Sequence, residues 1–141
     1  MKALRKAWRP SLAMVAGALL VAGCTTMGTA DVALSGSQEV PAVNTAASGT
    51  ASIAVADDKS VSGAVTTTGV AGVAAHIHNG AAGKNGPVII PLTKTSDNTW
   101  AVPAGAKLTD AQYDDYKAGN LYVNVHSAAN KGGEIRGQLK P

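Results

Sequence analysis

Ala75-His76-Ile77-His78-Asn79-Gly80 carries two of the chain's histidines on alternate residues. Side chains on a β-strand alternate direction with every residue. As a strand, this stretch sends His76 and His78 to one face and Ala75 and Ile77 to the other. A second stretch, Leu121-Tyr122-Val123-Asn124-Val125-His126, alternates in the same way, with Tyr122, Asn124 and His126 opposite Leu121, Val123 and Val125. The chain holds three histidines, and all three lie in these two stretches. Two neighbouring strands of this kind bury one apolar face and converge three imidazoles on the other.

The N-terminus is read as a targeting segment. Lys2, Arg5, Lys6 and Arg9 form a basic start, and Ser11 to Ala22 is an apolar run. That run is too short for a membrane-spanning helix, which needs about 20 apolar residues, and its layout is that of a secretory signal. Leu20-Val21-Ala22-Gly23-Cys24 resembles the lipobox of bacterial lipoproteins. The resemblance implies cleavage before Cys24, lipidation of Cys24 and a membrane anchor. Thr25, where an aspartate would signal inner-membrane retention, implies delivery to the outer membrane, facing the periplasm. Residues 1–23 are then signal peptide, 24–30 a small polar tether, and 31–141 one domain.

The charge balance changes with this reading. The chain has 12 Lys and Arg against 9 Asp and Glu. Four of the basic residues precede Cys24 and none of the acidic ones do, which leaves eight against nine. The basic balance belongs to the signal peptide, so it gives no basic face for nucleic acid. Cys24 is the only cysteine, so the domain has no disulfide once that residue is lipidated. About 118 residues suffice for a core without bridges.

Along the domain, short alternating segments are separated by turn residues. Candidate strands run over Asp31–Ser37, Gly49–Ala56, Val61–Thr67, Val73–His78, Pro87–Leu92, Thr99–Val102, Leu121–His126 and Glu134–Lys140. Pro41 ends the first segment, because proline cannot donate to a central ladder. Asn79 to Gly86 is glycine-rich and reads as a flexible surface loop, a lid beside the histidine strand. Thr109-Asp110-Ala111-Gln112 fits a capping box, and Gly119 fits the stop of a two- or three-turn helix. The expected fold is all-β: a Greek-key β-sandwich of seven or eight strands with one short crossover helix.

His-x-His on a strand places two imidazoles on one face, with Cα atoms roughly 6–7 Å apart. With His126 on the polar face of another strand, the three histidines form a candidate metal site. Neutral imidazoles without thiolate favour copper, or zinc, over calcium and magnesium, which prefer oxygen ligands. Glu134 is the acid nearest the second motif and a candidate acceptor behind an imidazole N–H. Arg136 either draws a small anion to the metal or pins a loop through backbone carbonyls. The sequence has no G-x-S-x-G and no H-E-x-x-H, and Ser127 points away from His126, so no hydrolase constellation is present.

Three sets of residues carry a family resemblance: Ser35-Gly36-Ser37-Gln38-Glu39-Val40-Pro41; the first histidine strand with Gly86-Pro87-Val88; and the second with Gly132-Gly133-Glu134-Ile135-Arg136-Gly137-Gln138-Leu139. From about Asp31 to Leu139 the chain resembles the CHRD domain, named for chordin. The resemblance implies a β-rich extracytoplasmic module, and chordin's company of growth-factor-binding modules implies a protein- or envelope-binding role as the alternative to metal handling. A more distant likeness is to Cu/Zn superoxide dismutase. There a His-x-His strand and a later Val-His strand feed one copper, with an arginine nearby, which implies His76, His78 and His126 as ligands and Arg136 as the arginine. The chain departs from that family in having no bridging histidine, no zinc-ligand cluster and no cysteine pair. The implied protein is a mononuclear copper binder for copper handling or simple redox chemistry, with a dismutase-like enzyme as a third reading.

Overall fold

The computed structural model describes residues 29–141. Cys24, its lipidation and the signal segment lie outside the described residues. The elements run β1 (Val32–Ser35), β2 (Ser48–Val55), β3 (Val61–Thr68), β4 (Gly72–Asn79), β5 (Val88–Pro91), β6 (Thr93–Ser96), β7 (Thr99–Ala101), α1 (Asp110–Lys117), β8 (Leu121–Ser127) and β9 (Ile135–Gln138). A single 3-10 turn, Gly36–Gln38, follows β1.

The strands form one sheet in the order β5-β4-β8-β9-β1-β2-β3-β7-β6, and every pairing is antiparallel. The two outermost strands, β5 and β6, are consecutive in the chain with only Leu92 between them. Laid flat, nine strands at about 4.8 Å spacing would hold their edges about 38 Å apart. One residue spans less than about 4 Å, so the sheet must curl until its edges meet. The result is a nearly closed, barrel-like sandwich around one core. Leu92 N–H donates to Ala75 O at 2.9 Å, extending the β4–β5 ladder, and Lys94 Nζ donates to Gly72 O at 2.9 Å, tying β6 to β4 across the seam.

The inward-facing residues are those the alternation singles out: Ile53, Val65, Ile77, Trp100, Val123, Val125 and Ile135 are all buried. The all-β class and the single crossover helix stand as expected. Among the described residues nine strands form where seven or eight were expected, and the extra one is β6. All four of its residues are exposed, so neither face carries apolar alternation to mark it. Its pairing with β7, Thr93↔Ala101 and Lys94↔Trp100, supplies what its composition does not.

The helix α1 begins as its sequence dictates. Thr109 Oγ1 accepts from Gln112 N–H, and Gln112 Oε1 accepts from Thr109 N–H, which satisfies two otherwise free donors. None of its residues is fully buried; Tyr113 and Tyr116 lean on the core. Its tie to the histidine strand is polar: Asn79 Nδ2 donates to Asp115 Oδ2 at 2.7 Å.

Ile77, between the two histidines, is 1% exposed and pairs with Val123 on β8 and Ile90 on β5. It anchors the strand whose other face carries His76 and His78. Ile77→Ala should destabilise the domain by about 2–5 kcal/mol, the range for emptying such a site, as read from the urea unfolding midpoint.

Candidate metal centre

The register of β4 against β8 builds the site. His76 lies opposite Asn124, His78 opposite Tyr122, and Ala74 opposite His126. His126 is therefore diagonal to His76 on the same face, a separation long side chains bridge. The ring centroids of His76 and His126 are 4.8 Å apart, those of His76 and His78 5.6 Å, and those of His78 and His126 6.2 Å. One ligand atom from each of the three lies within 4.8 Å of the others.

Hydrogen bonds fix which nitrogen faces the common point. A carbonyl oxygen can only accept, so the ring nitrogen against it carries the proton. His78 Nδ1–H donates to Gly86 O at 2.9 Å, and His126 Nδ1–H donates to Lys131 O at 2.9 Å. Both rings then present the Nε2 lone pair. His78 Nε2 is buried without an aligned partner. His76 Nδ1–H donates to His126 Nε2 at 3.0 Å. With the His76 proton on Nε2 instead, His76 Nδ1 and His126 Nε2 would both be free to hold a metal ion.

The donor set fits copper or zinc. Metal–nitrogen bonds of about 2.0–2.1 Å let two ligand atoms stand at most about 4.2 Å apart. The widest pair here, at 4.8 Å, needs a side-chain adjustment of less than about 1 Å to close on an ion. Burial, and then the neighbouring His126 and His78, hold the His76 pKa below the ordinary imidazole value; burial does the same for His78 against the raising pull of Gly86 O. Neutral rings with available lone pairs are the form a metal requires.

The surroundings lock His78 in place. Its ring stacks on Tyr122, centroids 4.7 Å apart and planes 5° from parallel. Tyr122 Oη accepts from Gly86 N–H, and Gly86 O is the acceptor of His78 Nδ1. Gly86 is required here: a Cβ would collide with the Asn79 carbonyl.

Arg136 is 1% exposed. Its guanidinium carbon sits 3.4 Å from the centroid of the Tyr122 ring, and Nη2 donates to Ala81 O at 3.1 Å and Lys84 O at 2.8 Å. Asn85 Nδ2 donates to Val40 O, and Gln138 Nε2 to Gly80 O. The 79–86 loop, expected as a flexible lid, is instead clamped at several points, because carbonyls turned inward meet buried donors.

Glu134 does not back an imidazole. Its Oε1 accepts from Thr45 Oγ1 at 2.8 Å, and hydrogen bonds from Ser127 and Thr45 hold its pKa below the usual carboxylate value. The acceptors behind the imidazoles are the carbonyls of Gly86 and Lys131, which composition cannot reveal. Tyr122 and Asn124 share the face of His126, so their parity marked them as site neighbours. Glu39 is 5% exposed and carries no such signal, since its neighbours read only as the end of a strand.

The family model described as CHRD domain matches residues 30–139. No curated protein and no solved structure gives a match.

The lowered histidine pKa values have a signed consequence. Below about pH 6.5 the unfolded chain takes up protons that folded His76 and His78 refuse, so their contribution to stability is lost as pH falls. Glu39, whose pKa is raised to about 7, acts in the opposite direction and is common to both proteins in the comparison. Relative to a His76→Gln/His78→Gln variant, the parent chain should lose stability from about pH 6.5 downward, as measured by urea unfolding across that range.

Proposed function

The chain belongs to the CHRD-domain family, and from that premise we propose that it is an exported metal-binding protein that holds copper through His76, His78 and His126. The observation that carries this reading is the convergence of the chain's three histidines, with ligand atoms within 4.8 Å and two rings oriented by backbone carbonyls. Zinc fits the same donors. Export, lipidation of Cys24 and outer-membrane anchoring belong to the proposal on the strength of the N-terminal sequence.

A bound copper ion would supply either storage and transfer of the metal or one-electron redox chemistry. The chain's own residues contribute the geometry. Gly86 and Lys131 set the tautomers of His78 and His126, and Tyr122 fixes the plane of His78. The half-buried setting of His76 and His126 leaves one side of the site open to solvent and to a further ligand.

A dismutase-like role is the weaker alternative. An anion-attracting arginine needs free donors beside the metal, whereas Arg136 is buried and gives its Nη2 protons to Ala81 and Lys84 carbonyls. The binding-module alternative draws on two exposed apolar residues, Val73 at 62% and Val88 at 48%, the latter on the edge strand β5.

A Cu(II) titration of the purified chain, followed by electron paramagnetic resonance, tests the proposal. One ion should bind per chain with a nitrogen-ligand spectrum. His126→Ala should lower affinity at least about tenfold, the lower range for loss of an orienting or ligating contact, and change the spectrum. Unchanged stoichiometry and spectrum in that variant would rule out the three-histidine site.

A further inference from the structure

Glu39 follows the 3-10 turn after β1 and is nearly fully buried, yet its Oε1 has no aligned hydrogen-bond partner among the described residues. The Asn124 side chain and the Val40 backbone bond the carboxyl, but a buried carboxyl oxygen left without an aligned partner is still costly. Asn124 stands beside it. The Asn124 side chain interacts with the Glu39 carboxyl on one side and with His78 on the other. Asn124 Oδ1 and His78 Nε2 are likewise buried without aligned partners. Asn124 therefore links the Glu39 carboxyl to a proposed metal ligand, and each of the three side chains keeps one buried polar atom without an aligned partner.

The approach of Glu39 to Asn124 is built in by Gly133. Its φ is +125°, and a Cβ there would collide with both the Glu39 carboxyl and the Asn124 amide. Glu39 also lines two half-open cavities of about 190 and 200 Å³, so a proton on it has a path to solvent. Burial pushes its pKa up to about 7 despite the opposing pull of Arg136.

The groups around Glu39 come from several elements. β9 supplies Arg136, the charged side chain whose field pulls the Glu39 pKa down. β8 supplies neutral Asn124, and the segment after it Asn130, Gly132 and Gly133. Ser37 and Gln38 come from the turn before it, and Ala82 and Gly83 from the clamped loop. Beyond Asn124 lie the imidazoles of β4. Glu134 is turned away toward Thr45.

A divalent ion on three neutral imidazoles brings two positive charges into a partly buried site that already holds Arg136 nearby. An anionic complement in such a setting is worth more than in water. We propose that Glu39 is that complement: it is protonated while the site is empty and releases its proton to solvent as the divalent ion enters. This deepens, and rests on, the three-histidine reading. The carboxyl O–H bond breaks, its electron pair stays on the carboxylate, the proton goes to water, and nothing is oxidised or reduced. Asn124 is the positioning residue that couples the carboxylate to His78.

The test uses Zn(II), which is redox-inert, and the full chain. Calorimetric titration at about pH 6, in two buffers of different protonation enthalpy, counts the protons released on binding. The parent chain should release about one proton more than Glu39→Gln, since at that pH a group titrating near 7 is about nine-tenths protonated. Infrared difference spectra of the parent chain give a second readout that needs no variant. Zinc should remove a protonated-carboxyl C=O band. Equal proton release in the two proteins, or an unchanged carboxyl band, overturns the role of Glu39 and leaves the metal site standing. Failure of the parent chain to bind zinc or copper overturns both.

Discussion

The antiparallel register of β4 against β8 is the constraint on which the rest depends. A shift of one residue would turn Ile77 and Val123 out of the core and the histidines into it. Val123 and Val125 are 0% exposed and Ile77 1%, so the apolar faces of both strands specify this register strongly. The same pairing sets Asn124 opposite His76 and brings His126 across the diagonal. The site thus needs no separate folding energy: burying one face of two strands assembles the other.

The closure of the sheet extends that constraint to the whole domain. β8 pairs with β9 as well as β4, and the register places Arg136 opposite Asn124 and Gln138 opposite Tyr122. Arg136 is then diagonal to Tyr122, within reach of its ring, and Gln138 reaches the ends of both β4 and α1 through the carbonyls of Gly80 and Gly119. A glycine-rich loop with few side chains cannot order itself by packing. Here it is ordered by donors coming up from the sheet floor, and Gly86 is carried with it to the Nδ1 of His78.

Much of this was legible in period two. The parity of His76, His78 and His126, the apolar partners between them and the cap of α1 at Thr109 all follow from local spacing. The strand β6 did not, because Thr93 to Ser96 is polar and exposed on every side and owes its conformation to β7 alone. Glu39 did not either. A carboxylate in Gln38-Glu39-Val40-Pro41 looks like solvated loop until the turn before it and Gly133 beneath it are seen to fold it inward. The orienting partners of the histidines are main-chain carbonyls, and every residue has one, so no residue type could have pointed to Gly86 or Lys131. The role of Arg136 as a clamp was open to reading from its chemistry, but its seat on Tyr122 required the β8–β9 register.

Tyr122 resolves an apparent conflict in the site's electrostatics. A buried guanidinium beside three converging imidazoles would repel any cation they held. An imidazole and a guanidinium cannot share one face of a phenol ring at these distances, 4.7 Å and 3.4 Å to its centroid, so His78 and Arg136 occupy opposite faces. The ring's negative faces attract a guanidinium, and its thickness keeps that charge one layer away from the ligand nitrogens. The phenol oxygen meanwhile takes the Gly86 N–H, so the group that separates the two charges also holds the carbonyl that orients His78. Replacing the ring with an aliphatic side chain would remove the spacer, the guanidinium's seat and the Gly86 acceptor together. The arginine that clamps the loop and the histidine of the candidate metal centre can coexist in this sheet because an aromatic residue stands between them.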